Sequence, residues 1–323
     1  MSKLSEYVPA MKYGAKIMPE DLAGMVGLPH VGSVFYVDAT SGSDSANSGT
    51  SQDDALATVA AAFDKCTSAK HDVVVIAPSG GTGRTAETTA IAWNKRFTHL
   101  VGSAAPLAQD TRAGISFGTG GSLVISENGC MFKTLTLTSS ADIDETVSVS
   151  GDYNSFLGVD FKGTSNATSA DSTPWRALNL NGAQENYFGG CTFGSDTFTR
   201  GADNATIEFE SSASRNVFED CRFLMHADAT TPEHILFTGT SAIDRWVEFK
   251  NTSWYTFWTN DADKITAVMD LSAQTATGHV LLTGTQTMIG ADDWEASDSS
   301  RIFMQPWTAT ANAIGIAINP NVS

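Results

Sequence analysis

The sequence predicts an all-β chain wound as a parallel β-helix, and three observations lead there. Short alternating apolar segments recur from about residue 120, anchored on Phe132, Phe156, Phe188, Phe218, Phe249 and Leu282, 24 to 33 residues apart. Turn-forming Ser, Gly, Asn, Asp and Thr separate them, while proline is scarce at 9 in 323 residues. No long amphipathic helix is visible. A strand of three to five residues cannot bury a face alone, but stacking each repeat on the next gives every strand a partner and the chain a continuous core. The unequal period fits a solenoid of coils with variable loops better than propeller blades. Coils spaced ~4.8 Å apart would build a prism ~35–40 Å long.

Residues 1–33 stand apart. Lys3, Lys12 and Lys16 balance Glu6, Glu20 and Asp21, and Pro19-Glu20-Asp21-Leu22 reads as a first helical turn. This segment reads either as a partly disordered leader or as an arm that docks on a neighbouring subunit, and the docking arm is the expectation carried forward. Val34–Val37 then reads as a strand, 38–54 as a polar loop, and 55–66 as the one substantial helix, capped by Asp53 or Asp54. Asp72–Pro78 reads as a buried strand stopped by proline. In each repeat a first short element (Leu123-x-Ile125, Val147-x-Val149, Leu178-x-Leu180, Ile207-x-Phe209, Ile235-x-Phe237, Met269-x-Leu271) precedes a turn and the anchor strand. The expected division is 1–33 docking arm, 34–300 parallel β-helix, and 301–323 an apolar capping or assembly tail.

The opening Val34–Asp38, the Gly/Ser/Asp loop with Gly49-Thr50-Ser51, the helix 55–66 and Asp72–Pro78 resemble the capped first coil of the right-handed parallel β-helix superfamily. That superfamily includes pectate lyases and phage tailspikes. The resemblance implies a right-handed solenoid with one N-terminal capping helix. It leaves activity open, because lyases, hydrolases, esterases and inert virion parts share the fold.

Composition narrows the function. The net charge is −17, which disfavours nucleic acid and anionic membranes as partners. No apolar run reaches a membrane span, and the N-terminus does not read as a signal peptide. Stacking the repeats puts Lys133, Leu157, Gly189, Glu219, Lys250 and Thr283 in one outward column. Thr134, Gly158, Gly190, Asp220, Asn251 and Gly284 form a second, and Thr136, Asp160, Thr192, Arg222, Ser253 and Gln286 a third. Acids occur singly, apart from Glu219-Asp220, and Asp160 lies two coils from Arg222. A glycosidase needs two converging carboxyl groups. None is evident, so Asp160, Glu219 and Asp220 are read as solvated or turn residues. Asp292-Asp293 is read as a solvated turn, and 224–234, with His226, Asp228, Glu233 and His234, as a solvated loop without metal-ligand spacing. Ser79–Thr85 lacks the ending of a phosphate loop and is read as a turn. Cys191 and Cys221 share one inward position as free thiols.

No catalytic, cofactor-binding or metal-binding residue is therefore assigned, and no cofactor. The expectation is a non-enzymatic structural protein of a tailed-phage virion, made in the host cytoplasm. It would be a capsid decoration (cement) or fibre-like subunit that self-associates as a homotrimer and meets a major capsid protein through its N-terminal arm. The alternative is a tailspike-like protein that binds or depolymerises host surface polysaccharide, as a glycoside hydrolase or lyase. Trp254 falls on the inward template position, but Trp254-Tyr255-Thr256-Phe257-Trp258 holds too many aromatics for one inward face, so part is exposed or buried against another chain, with sugar stacking the alternative use.

Overall fold

The computed structural model describes residues 32–77, 84–295 and 300–304. Most of the expected arm (1–31), the turn at 78–83, residues 296–299 and the tail from 305 lie outside the described residues. Among those described, 26 strands, from β1 (Val34–Val37) to β26 (Ile302–Met304), wind into a right-handed parallel β-helix with three sheets. Sheet 1 has ten strands, beginning with β1, β2 (Val73–Ile76) and β5 (His99–Gly102). Sheets 2 and 3 have eight each, starting at β3 (Arg84–Glu87) and β4 (Ile91–Trp93). Sheet 1 continues to Met304, which pairs with Leu282.

The core is a set of ladders. Phe132, Phe156, Phe188, Phe218 and Phe249 are each 0% exposed. Their rings stack from coil to coil at 5.0, 4.6, 4.5 and 4.9 Å. Cys191 and Cys221 are buried free thiols, each donating weakly to a carbonyl, of Phe156 and Phe188 respectively. At the corner between sheets 3 and 1, Asn154, Asn186 and Asn216 form a buried amide ladder. Each side-chain oxygen accepts from the backbone N–H one coil back: Cys130 at 2.8 Å, Asn154 at 2.8 Å and Asn186 at 3.0 Å.

Several sequence expectations change. The helix, α1, is Val59–Lys65, capped by Thr58, whose hydroxyl accepts from Ala61 N–H. Residues 55–57 are not helical because Leu56 bridges to Val37 and its N–H donates to Tyr36 O at 2.9 Å. The column Thr134, Gly158, Gly190, Asp220, Asn251 and Gly284 is not an outward strand position. Every member has φ between 52° and 66°, so each makes the left-handed corner from sheet 1 to sheet 2. Glycine, Asn and Asp tolerate that conformation best, which explains five of the six identities.

The segment 224–234 is not a solvated loop. Arg222–Ala227 is strand β18 and Glu233–Phe237 is β19, because Phe223, Met225 and Ala227 continue the inward alternation. Asp292 and Asp293 lie in strand β25 (Ala291–Glu295), not a turn, and Lys264 pairs with Asp292. In the last coil Ser253 pairs with Thr287 rather than Gln286. One extra residue at the Gly284 corner shifts the register, and Gln286 turns inward to accept from Trp254 Nε1 at 3.3 Å. Trp254 itself, at the inward position the repeat template gives it, is 0% exposed and stacks on Phe223 at 3.8 Å.

Candidate active site

The outward column of sheet 2 holds the site. Thr136, Asp160, Thr192 and Arg222 stand on successive coils, as the stacked repeats predict. Asp160 is nevertheless 2% exposed and not solvated. The connection from β5 to β6 (Gly114–Phe117) supplies the partner that a column of outward positions cannot show. Asp110, in that connection, adopts φ 54°, a left-handed turn that aspartate tolerates. Its backbone N–H donates to Asp160 Oδ2 at 2.8 Å. Its carboxylate accepts from Arg84 Nη2 at 2.7 Å and Lys162 Nζ at 3.0 Å.

Two carboxyl groups thus meet in different environments. Burial pushes Asp160 up to about 7, opposed by the Asp110 N–H and reinforced by the Asp110 charge. Burial also works against ionisation of Asp110, but hydrogen bonds from Lys162 and Arg84 outweigh it and hold the carboxyl below its usual value. Asp160 Oδ1 has no hydrogen-bond partner although it is buried. Both carboxyls line a pocket of about 50 Å³ with Gln109, Lys162, Gly194, Ser195, Asp196 and Thr197. The wall at 195–197 exists because β15 (Thr192–Arg200) loses register with β18 between Ser195 and Thr199 and bulges outward. Opposed shifts in neighbouring carboxyls let one hold a proton near neutrality while the other stays ionised.

The other acids are engaged elsewhere. Glu219 accepts from Lys250 at 2.7 Å and from Tyr187 Oη at 2.9 Å, and these bonds lower its pKa. Asp220 lies at the left-handed corner and accepts from Asn251 Nδ2 at 3.2 Å. On sheet 3, Arg176 pairs with Glu208 at 2.8 Å, and Asn179 bridges Glu145 and Glu210 at 2.9 and 2.6 Å. Those three acids are each held by a cation or an amide, as structural networks are. Arg200 is 3% exposed, against the Trp175 ring, with its guanidinium bonded to Asn204, Thr206 and the Glu233 carbonyl. Burial pushes Arg200 down to about 9 and Glu233 up to about 8. His234 is buried against Thr256, while His226 faces Thr259, and no cluster of metal-ligand type is present among the described residues.

Sequence reasoning missed Asp110 because the repeats were stacked from residue 120 onward. The usable signal was Asp160, the one acid in its column, beside a long connection carrying Gln109-Asp110.

No protein-family model matches the sequence, and no curated protein matches it either. Solved structures do resemble the fold. The pectate lyase Pel9A superposes with a TM-score of 0.52 at 13% identity over 78% of this chain, which spans only 62% of the lyase. The pectin methylesterase PemA from Erwinia chrysanthemi superposes with a TM-score of 0.50 at 14% identity, covering 84% of this chain and 87% of the esterase. At such identities the likeness is one of fold, the parallel β-helix that these enzymes and this chain share.

Proposed function

We propose that this protein cleaves glycosidic bonds in a polysaccharide, with Asp160 as proton donor and Asp110 as the ionised partner. The observation that carries this is the pair itself: a buried carboxyl raised to about 7 beside one held low by two cations. In the reaction, the Asp160 O–H gives its proton to the bridging oxygen as the anomeric C–O bond breaks. Water then bonds to the anomeric carbon and passes its proton to Asp110. Lys162 and Arg84 keep Asp110 charged and fixed. The fold neighbours, a pectate lyase and a pectin methylesterase, are named for polysaccharide substrates, which supports the carbohydrate reading over a purely structural one.

The test is release of reducing ends from a panel of soluble polysaccharides. Asp160→Asn and Asp110→Asn should each lower the rate by roughly a hundredfold or more with folding preserved. Unchanged release in both variants would contradict the assignment.

The pocket, at about 50 Å³, admits only a substituent or a few waters, which leaves a second, non-enzymatic reading to be tested beside the first. In that reading the chain is a homotrimeric decoration or fibre subunit of a phage particle, docked by residues 1–33 on a capsid lattice. Truncation of 1–33 that abolishes incorporation into particles, with no polysaccharide cleaved by the full chain, would favour it.

A further inference from the structure

Below the pocket, the outer face of sheet 2 carries two adjacent columns of opposite character. The polar one runs Asp160, Thr192, Arg222, Ser253 and Thr287 on successive coils. Two residues further along the same strands runs Gly194, Leu224, Tyr255 and Ile289. The residues between the columns, Phe193, Phe223 and Trp254, are 0% exposed. Side chains alternate along a strand, so both columns point away from the core. Asp160, Thr192, Gly194 and Leu224 are covered, whereas Arg222, Ser253, Tyr255, Thr287 and Ile289 reach the surface. Gly194 also lines the pocket, which places Asp110 and Asp160 at the head of the apolar column.

The lower end is unusually apolar for an exposed face. Phe257 is 50% exposed, Ile289 49% and Trp258 37%. The Trp258 indole is held without being buried: its Nε1 donates to Asp261 Oδ1 at 3.3 Å. A side chain at Gly290 would come within 2.9 Å of the indole ring, so the ring rests on a glycine of the next coil. A fixed, open aromatic face binds at little entropic cost.

We propose that this face is an axial binding track for a linear, uncharged polysaccharide, with Tyr255, Phe257 and Trp258 as stacking platforms and Arg222, Ser253 and Thr287 as its hydrogen-bonding rail. The proposal rests on the carbohydrate reading above and extends it to the substrate. A pyranose has an apolar C–H face and a polar rim, and the two columns offer one surface to each. Two coil steps separate Arg222 from Thr287, a length of ~10 Å that accommodates about two sugar units. The net charge of −17 opposes a polyanion, and at the track Asp196 and Asp261 outnumber the one cation of its polar column, Arg222, so a neutral chain is favoured.

The test is native electrophoresis of the full chain through gels containing hydroxyethylcellulose, a neutral linear glucan, or polygalacturonate, a polyanion. The wild type should be retarded by the neutral polymer and pass freely through the polyanion. Phe257→Ala with Trp258→Ala should weaken retardation about tenfold or more in apparent Kd, and Trp258→Phe should keep most of it. Asp160→Asn should bind like the wild type. If Asp160→Asn binds and still cleaves, the catalytic assignment fails and the track stands. Equal retardation of the double variant and the wild type overturns the track, as does retardation by polygalacturonate alone or by neither polymer. A double variant whose sedimentation shows lost self-association with glycan binding unchanged makes the face a contact between copies, and also overturns it.

Discussion

The backbone N–H of Asp110 donates to Asp160 Oδ2 at 2.8 Å, joining two residues 50 positions apart in sequence. Asp160 belongs to the regular stack of sheet 2, and Asp110 to an irregular connection laid over it. The regular element gives a fixed position, and the irregular one removes water and adds a charge. Together they turn a surface aspartate into a buried carboxyl poised near neutrality.

A pH-dependent stability follows. Asp160 has a folded pKa of about 7, against 3.8 for an unperturbed aspartate. The folded state therefore binds more protons than the unfolded state between those values, and stability falls as pH rises through this window. Asp160→Asn removes the ionisation, so its melting temperature relative to wild type should climb between about pH 4 and 7 and level off above. The gap corresponds to a few kcal/mol at most, at about 1.4 kcal/mol per unit. Thermal unfolding scans across pH check this, and parallel wild-type and variant curves would refute it.

Phe218 is sandwiched between Phe188 at 4.5 Å and Phe249 at 4.9 Å. Phe218→Ala should cost about 3–5 kcal/mol, since neighbouring coils are fixed by their ladders and cannot close the cavity. Denaturant unfolding measures this directly. A cost below about 1 kcal/mol would mean that the stack relaxes freely.

Two glycines separate backbone strain from crowding. Gly190 has φ 61° with nothing within 4 Å of an added Cβ, whereas at Gly163, φ 76°, the Cβ would lie 2.5 Å from the Trp175 ring. Gly190→Ala should cost about 1–2 kcal/mol, the strain alone. Gly163→Ala should cost clearly more, because a buried indole must also move. Equal losses in the two variants would show that crowding at Trp175 is absorbed without cost.

The Asn ladder gives a further stability test. Asn186 Oδ1 accepts from Asn154 N–H at 2.8 Å, and its Nδ2 donates to Asn216 Oδ1 at 3.1 Å and Gly151 O at 3.2 Å. Asn186→Leu leaves the Asn154 N–H and the Gly151 carbonyl unpaired, while Asn216 Oδ1 keeps the backbone N–H of residue 186, and should cost about 2–4 kcal/mol, since each orphaned group loses its partner without regaining water. Urea unfolding of the variant would contradict this if the midpoint stayed at the wild-type value.

The fold was legible because its determinants are periodic. Phe156, Phe188, Phe218 and Phe249 recur at one template position, and the ring stack follows from that spacing. The corner residues Gly158, Asp220 and Asn251 were visible as a column, but their left-handed backbone was not, because outward strand and tight corner look alike when both are polar. The helix start was misplaced because Leu56 meets both a helical and a strand pattern, and only its bridge to Val37 decides. The carboxyl pair was half legible. Asp160 could be placed by register, whereas Asp110 sits in a connection with no periodicity, and its approach depends on tertiary packing.

The most direct measurement is the titration of the Asp160 carboxyl by carbon-13 NMR in protein labelled at the aspartate side-chain carbonyls, assigned with Asp160→Asn and Asp110→Asn. The account predicts one carboxyl titrating near 7 that disappears in Asp160→Asn, and a second, lost in Asp110→Asn, titrating below the ordinary aspartate range. An Asp160 signal titrating at about 4, as a solvated carboxylate does, would contradict the proton-donor assignment.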